Sequence, residues 1–241
     1  MRFVIHEYEE IGSTIDEIKS LLEQGAGEGT VVRADRQTAG RGRRGRRWIS
    51  ETGNLYCSLI LAPECPLIQA TQLSFVMAIA VGEAIIPYLK APEVLSYKWP
   101  NDLLLNRKKV AGILIETESD GGDLAHTCVA SVGVNLQSVP HNPDYPVTAL
   151  SQHSDRDVSC GVLLPVLLEH INIYYQLWRE QGFDSIRQKW LERGHAFNQE
   201  MAIMVGNTKH NGKYKGLSAE GALLIEGEDG LMHELTSAEV W

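Results

Sequence analysis

The run Ala39-Gly40-Arg41-Gly42-Arg43-Arg44-Gly45-Arg46-Arg47-Trp48 combines the two residue types that grip small anions. Glycine lets backbone amides approach a ligand closely, and arginine forks bind phosphate or carboxylate through two parallel hydrogen bonds. Seven of the chain's 22 Lys and Arg lie between Arg33 and Arg47, with only Asp35 against them, although the 241 residues carry a formal net charge of -9. A cationic loop on an anionic protein serves a local anion, and the phosphates of a small nucleotide suit it best.

Other uses of the same letters fit less well. Gly40, Gly42 and Gly45 spell the dinucleotide-binding pattern G-x-G-x-x-G, which needs a strand before it and a helix after it. The run leads instead into Trp48-Ile49-Ser50, a turn at Gly53 and an alternating stretch over 54–61 that reads as a strand. A kinase-type glycine loop requires H-R-D and D-F-G segments, and the chain has neither. A nucleic-acid arm would set the same arginines on a phosphate backbone, but the overall negative charge disfavours it.

Two further stretches offer polar groups for chemistry. Lys98-Trp99-Pro100-Asn101-Asp102 precedes the apolar Leu103-Leu104-Leu105, and Lys109-Val110-Ala111-Gly112-Ile113 opens a second run after a turn at Asn106-Arg107-Lys108. The pattern predicts two strands of a hairpin, with Pro100 at an edge or bulge where its missing donor does no harm. Asn101, Asp102 and a lysine beside Gly112 then meet at one end of a sheet. Taken alone, Lys108 and Lys109 also fit a solvated hairpin tip. Ser13 and Thr14 stand at the start of a helical pattern (Ile15, Ile18, Leu21, Leu22) closed by Gly25. Thr14 with Glu17 fits a capping box, which leaves one hydroxyl of the pair for a ligand.

The elements that must position these groups are legible as periodicities. Strands are expected over 3–8, 30–34, 54–61 and 127–135, with a turn at Gly121-Gly122-Asp123. Residues 71–89 form a long, largely apolar helix that belongs to the core, and 161–181 and 183–191 form two more, after a loop over 140–157. Beyond Gly194 come short strands at 202–205, 213–217, 222–225 and 232–235, with hairpin turns at Asn211-Gly212 and Asp229-Gly230. These last ~45 residues read as a small appended barrel that leans on the first domain.

The totals agree with a folded, water-facing protein: 44% hydrophobic and 22% charged residues. Cys57, Cys65, Cys128 and Cys160 show no C-x-x-C spacing, which predicts reduced thiols in a cytoplasmic protein. The histidines lack metal-ligand spacing, so no fixed metal is expected. No apolar core of a signal peptide and no membrane-length apolar run is evident.

Taken in order, the Ser13-Thr14 helix start, the arginine loop, Lys98 to Asp102, Lys109 to Ile113 and the C-terminal strands resemble the biotin–protein ligases along nearly the whole chain. The resemblance implies an α+β fold, with a mixed or antiparallel sheet and packed helices over 1–194 and a small SH3-like barrel over 195–241. It implies ATP-dependent activation of biotin to biotinyl-5′-adenylate with pyrophosphate release, then transfer of biotin to a lysine of a carboxylase's biotin carrier domain. Ser13, Thr14 and Gln37 would hold the biotin head group, and Arg41, Gly42 and Arg43 would form a lid over biotin and its adenylate. Arg46 would hold the departing phosphates, and Trp48 would close the nucleotide side. Lys109 would be the cation between biotin carboxylate and α-phosphate, with Gly112 leaving the ligand room. Asn101, Asp102 and Asn135 would serve the nucleotide, with Asp102 also near Mg²⁺ or the incoming amine.

Two positions depart from the family pattern: Ile15 stands where Asn is frequent, and Ser131 where Gly is expected. Only about a dozen residues precede Ser13, too few for the DNA-binding winged helix of bifunctional relatives. Neither nucleic acid nor membrane is therefore an expected partner, whereas a homodimer is compatible with the resemblance. The nearest rival is a lipoate–protein ligase or octanoyltransferase, since one fold serves several acids.

Overall fold

The computed structural model describes residues 1–91, 94–118, 122–141, 145–205, 208–236 and 239–240. In chain order the elements are β1 (Val4–Ile11), α1 (Thr14–Glu23), β2 (Thr30–Gln37), β3 (Leu55–Leu61), β4 (Cys65–Pro66), α2 (Leu67–Ala70) and α3 (Leu73–Ile85). Next come β5 (Leu95–Lys98), β6 (Asp102–Leu105), β7 (Lys108–Glu118), β8 (Leu124–Ala125), β9 (Thr127–Val134), α4 (Cys160–Gln181) and α5 (Phe183–Leu191). The C-terminal strands are β10 (Glu200–Val205), β11 (Thr208–Leu217), β12 (Leu223–Gly227), β13 (Met232–Leu235) and β14 (Glu239–Val240).

The large sheet runs β1-β2-β3-β9-β7-β6-β5; β1 is parallel to β2 and the other pairs are antiparallel. β3 is buried along its whole length, as a central strand covered on both faces must be. On one face α1 packs Ile15 and Ile18 against Val32, Ile60 and Val129. On the other lie α3 and α4. The segment 67–88 is long and apolar enough to cross a membrane, but most of it is enclosed by its neighbours, which explains why it is apolar all round. The C-terminal strands make a separate antiparallel sheet in the order β13-β12-β11-β10-β14.

Several expectations are corrected by long-range pairing. β1 and β2 extend to Ile11 and Gln37 because each is the other's partner, and this brings Gln37 beside the start of α1. The capping box does not form: Ser13 is the N-cap, its Oγ accepting from the Ile15 amide at 3.2 Å, while Glu17 accepts from the Tyr8 hydroxyl at 2.7 Å. Pro100 sits neither at an edge nor in a bulge but in the turn between β5 and β6, after a cis Trp99–Pro100 peptide, so this region is three strands rather than two. The turn between β6 and β7 is Asn106-Arg107, both at positive φ, and Lys108 already belongs to β7. Asn211-Gly212 lies inside β11, where a side chain at Gly212 would collide with Ile225 on β12; the glycine serves close strand approach, not a turn. Asp229-Gly230 does turn, and β14 adds a strand that the pattern did not announce. Gly121 and residues 142–144 lie outside the described residues.

The two sheets are tied at the Lys-Trp-Pro box. Trp99 Nε1 donates to Gly221 O at 3.0 Å, and the Tyr97 amide donates to Arg193 O at 2.8 Å. Beside them His195 packs edge-on against Tyr214 and Trp190, 5.5 and 6.3 Å between ring centroids. Burial, and then the charge of Lys98, holds its pKa down to about 4. The unfolded chain therefore binds this proton below pH ~6.5 while the folded one resists until about pH 4, so stability falls as pH drops through that window. The expected loss is on the order of 3 kcal/mol. In His195→Phe, urea midpoints measured from pH 7 to pH 4 should fall less steeply than in the parent; parallel curves would exclude His195 as the source.

Candidate active site

The strand ends and the arginine loop enclose a cleft of about 940 Å³ that reaches from the N-terminus of α1 to the junction with the C-terminal sheet. At the α1 end, Thr14, Ile15, Gln37 and Ser131 form a pocket. The Thr14 amide and hydroxyl both donate to Gln37 Oε1, at 2.8 and 3.1 Å, and Gln37 Nε2 donates to Ser50 Oγ at 2.8 Å. Thr14 Oγ1 also lies 2.8 Å from Ser58 Oγ, which lies 2.8 Å from Ser131 Oγ. Ser13, expected as a ligand, does not line the cleft; its hydroxyl is spent on the helix cap.

At the centre, Lys109 Nζ and Asp102 Oδ1 are 2.6 Å apart, their side chains only 14% and 19% exposed. The register and a glycine explain this: Asp102 opens β6 opposite Gly112 on β7, and the Lys109 side chain passes over that glycine, where a Cβ would stand 3.1 Å from Lys109 Cε. The ammonium lies over the Trp48 and Tyr145 rings, 5.2 and 5.3 Å from their centroids, where the aromatic quadrupole favours a cation. Lys109 is thus a held charge, not a solvated tip, whereas Lys108 is exposed.

The arginine loop closes the roof. Its base is pinned by Trp48 N→Gly40 O at 2.9 Å and Gly42 N→Arg46 O at 2.7 Å, and its tip turns through Arg44 and Gly45 at positive φ. Several of its neighbouring cations are neutralised locally: Arg33 by Asp35 and Glu7, Arg36 by Glu10 and Glu51, Arg41 by Asp16 and Glu116. Further along the loop, Arg43, Arg44, Arg46 and Arg47 all line the cleft. Arg43 Nη1 crosses to Asn101 Oδ1 at 3.0 Å, and Asn101 is itself fixed by donating to Ile113 O at 2.7 Å.

Gly112 and Gly133 have a common purpose that the sequence did not reveal. A Cβ on either would stand 2.9 or 2.6 Å from the Trp48 indole, so the two glycines let that ring lie flat against the sheet. The space assigned to a ligand above Gly112 is filled here by Trp48. Asn135 is buried and does not line the cleft; its amide donates to Thr148 O at 3.1 Å and braces the segment that carries Tyr145. Of the remaining expected residues, Thr14, Gln37, Arg41, Gly42, Arg43, Arg46, Trp48, Asn101, Asp102, Lys109 and Gly112 all face the cleft. Tyr145 and Ser58 were not picked out as site residues, and Ser131 only as a departure from the family pattern. Each serine is a polar residue inside an otherwise apolar strand, which is a readable signal for a buried polar site.

Comparison with known proteins agrees with this geometry. Residues 9–135 match the Biotin/lipoate A/B protein ligase family, and residues 197–241 match the Biotin protein ligase C terminal domain. The chain is 33% identical over 237 residues to the bifunctional ligase/repressor BirA of Bacillus subtilis, spanning 95% of this chain and 71% of that protein. It is 34% identical over 223 residues to the biotin–[acetyl-CoA-carboxylase] ligase of Paracoccus denitrificans, covering 87% and 89% of the two. The biotin protein ligase from Aquifex aeolicus, solved in complex with biotin and ATP, superposes with a TM-score of 0.84 at 30% identity over 98% of each chain. The chain belongs to the biotin/lipoate A/B protein ligase family and carries the C-terminal domain of the biotin protein ligases.

Proposed function

We propose that this protein activates biotin with ATP to biotinyl-5′-adenylate, releasing pyrophosphate, and then transfers the biotinyl group to a lysine of a biotin carrier domain of the acetyl-CoA carboxylase type. The observation that carries this is the Lys109 ammonium, held between a hydroxyl-lined pocket at one end of the cleft and the Arg43–Arg47 tip of the loop above. A carboxylate and a triphosphate repel each other, and a fixed cation between them stabilises the charge that develops as a carboxylate oxygen attacks the α-phosphorus. That bond forms as the α–β phosphoanhydride breaks; in the second half, the carrier amine attacks the acyl carbon and AMP leaves.

In this reading Thr14 and Gln37 hold the head group, with Ser13 shaping the helix start behind them. Arg41 and Gly42 belong to the roof over biotin. Arg43, Arg46, Trp48 and Asn101 serve the nucleotide, and Asn135 supports that side through residues 145–148. Asp102 orients Lys109 and lines the cleft where the carrier amine would arrive. ATP would arrive as its Mg²⁺ chelate. Among the described residues no three His, Cys, Asp or Glu side chains gather, and Asp102 is paired with Lys109, so in this reading phosphate oxygens would carry the ion. All four cysteines are free, and burial pushes the Cys57 and Cys128 thiols up to about 12, which supports a reading without a covalent role for these two. The catalytic unit is proposed to span 1–194 and the C-terminal unit 195–241, a division supported by the separate sheet of β10–β14.

The test is acid-dependent exchange of labelled pyrophosphate into ATP, with biotin, lipoate and octanoate compared. Exchange with biotin alone is expected. Exchange with lipoate in its place would retain the reaction and replace the substrate.

A further inference from the structure

The head pocket contains a hydrogen-bonded chain whose polarity follows from proton counting. Gln37 has its amide oriented: Oε1 accepts from the Thr14 amide at 2.8 Å, and Nε2 donates to Ser50 Oγ at 2.8 Å. The single hydroxyl proton of Thr14 is therefore committed to Gln37 Oε1, at 3.1 Å. Thr14 Oγ1 must then accept from Ser58, 2.8 Å away. Ser58, its proton spent, must accept from Ser131, also 2.8 Å away. Ser58 and Ser131 are register partners on β3 and β9 and are 0% and 8% exposed, so neither hydroxyl can leave the chain for water without cost. Ser131 alone of the two lines the cleft, and at that end only oxygen lone pairs remain.

We propose that Ser131 is a specificity-determining residue, an acceptor built to take an N–H from the head group of the acid, here one N–H of the cyclic urea of biotin. This rests on the biotin reading above. A lone-pair terminus attracts a urea N–H and offers nothing to lipoate or octanoate, whose distal ends carry no such donor; a buried acceptor left unpaired adds a penalty against those acids. Ile15 walls the same pocket without any polar group, so Ser131 carries discrimination that an amide at that helix position would otherwise share.

The experiment measures pyrophosphate exchange with biotin and with the two carbamate analogues in which one or the other urea N–H is replaced by oxygen. The parent protein should show KM raised about tenfold or more for the carbamate that loses the N–H facing Ser131, with the other carbamate affected through different contacts. In Ser131→Ala the KM for biotin should rise by about the same factor while the KM for ATP holds, and the sensitive carbamate should then be no worse than biotin. Thermal melting of both proteins checks that the fold is kept, and the carbamate comparison in the parent needs no variant. No exchange with biotin in the parent would remove the biotin reading and this inference together. Exchange with biotin, but an unchanged biotin KM in Ser131→Ala or the same carbamate penalty in both proteins, would overturn the role of Ser131 alone.

Discussion

Lys109→Ala should lower biotin-dependent pyrophosphate exchange by about 10³-fold or more, because it deletes a cation positioned before the reactants arrive. Two unit charges 4 Å apart in an environment of intermediate polarity interact by ~4 kcal/mol, which is the scale of the repulsion between carboxylate and α-phosphate that the ammonium must offset. The side chain is already desolvated, at 14% exposure, and its position is fixed by Asp102 and by the Trp48 and Tyr145 rings, so little reorganisation is left for the moment of reaction. A solvated hairpin tip could be removed without consequence for stability. This lysine cannot: its loss leaves Asp102, 19% exposed, without its partner, at a cost of about 1–3 kcal/mol. The double variant Lys109→Ala/Asp102→Asn should recover that stability in a urea melt and recover none of the exchange. A single variant within tenfold of the parent rate would place the catalytic charge elsewhere in the cleft.

The parts that could be read in advance are those with local signatures. The Asp229-Gly230 turn, apolar periodicity in α1, α4 and α5, and the clustering of Arg with Gly all depend on neighbours within a few positions. The parts that could not be read depend on partners far along the chain. Ser13 rather than Thr14 caps α1, while Thr14 turns to Gln37, 23 residues further on, which accepts from both of its donors. Asn211-Gly212 has the letters of a hairpin turn, yet packing against Ile225 makes it strand. Trp99 belongs to a box that looks chemical, but its indole is a tie to Gly221, 122 residues on. Gly112 was legible as open space; that the space admits Trp48 depends on a register between β7 and β9 that also aligns Gly133. The cations nearest the loop are discounted for the same reason, since their carboxylate partners on β1 and α1 are invisible in a charge count of 33–47.

Arg43→Ala should separate retention of the intermediate from its formation. Arg43 is the strap across the cleft: it reaches from the roof to Asn101, and Asn101 is anchored on Ile113 of the opposite wall. A charge-assisted hydrogen bond of this kind contributes ~1.5–3 kcal/mol, so without it the roof should open more often and release biotinyl-adenylate roughly 10- to 100-fold faster. Lys109 and Asp102 are untouched by the change, which leaves the adenylating charge in place. The released mixed anhydride is reactive toward any exposed amine. The measurable signature is therefore a shift of label from the carrier lysine to bystander proteins at nearly constant ATP consumption, read by mixing the variant with carrier domain and an unrelated lysine-rich protein. Alanine is the replacement of choice because it removes the strap without adding glycine's backbone freedom to a loop that already contains three glycines between Gly40 and Gly45. If label stayed on the carrier as in the parent, the roof would be held by its other anchors, Arg41 on Asp16 and the Gly40–Trp48 base, and Arg43 would be a nucleotide contact only.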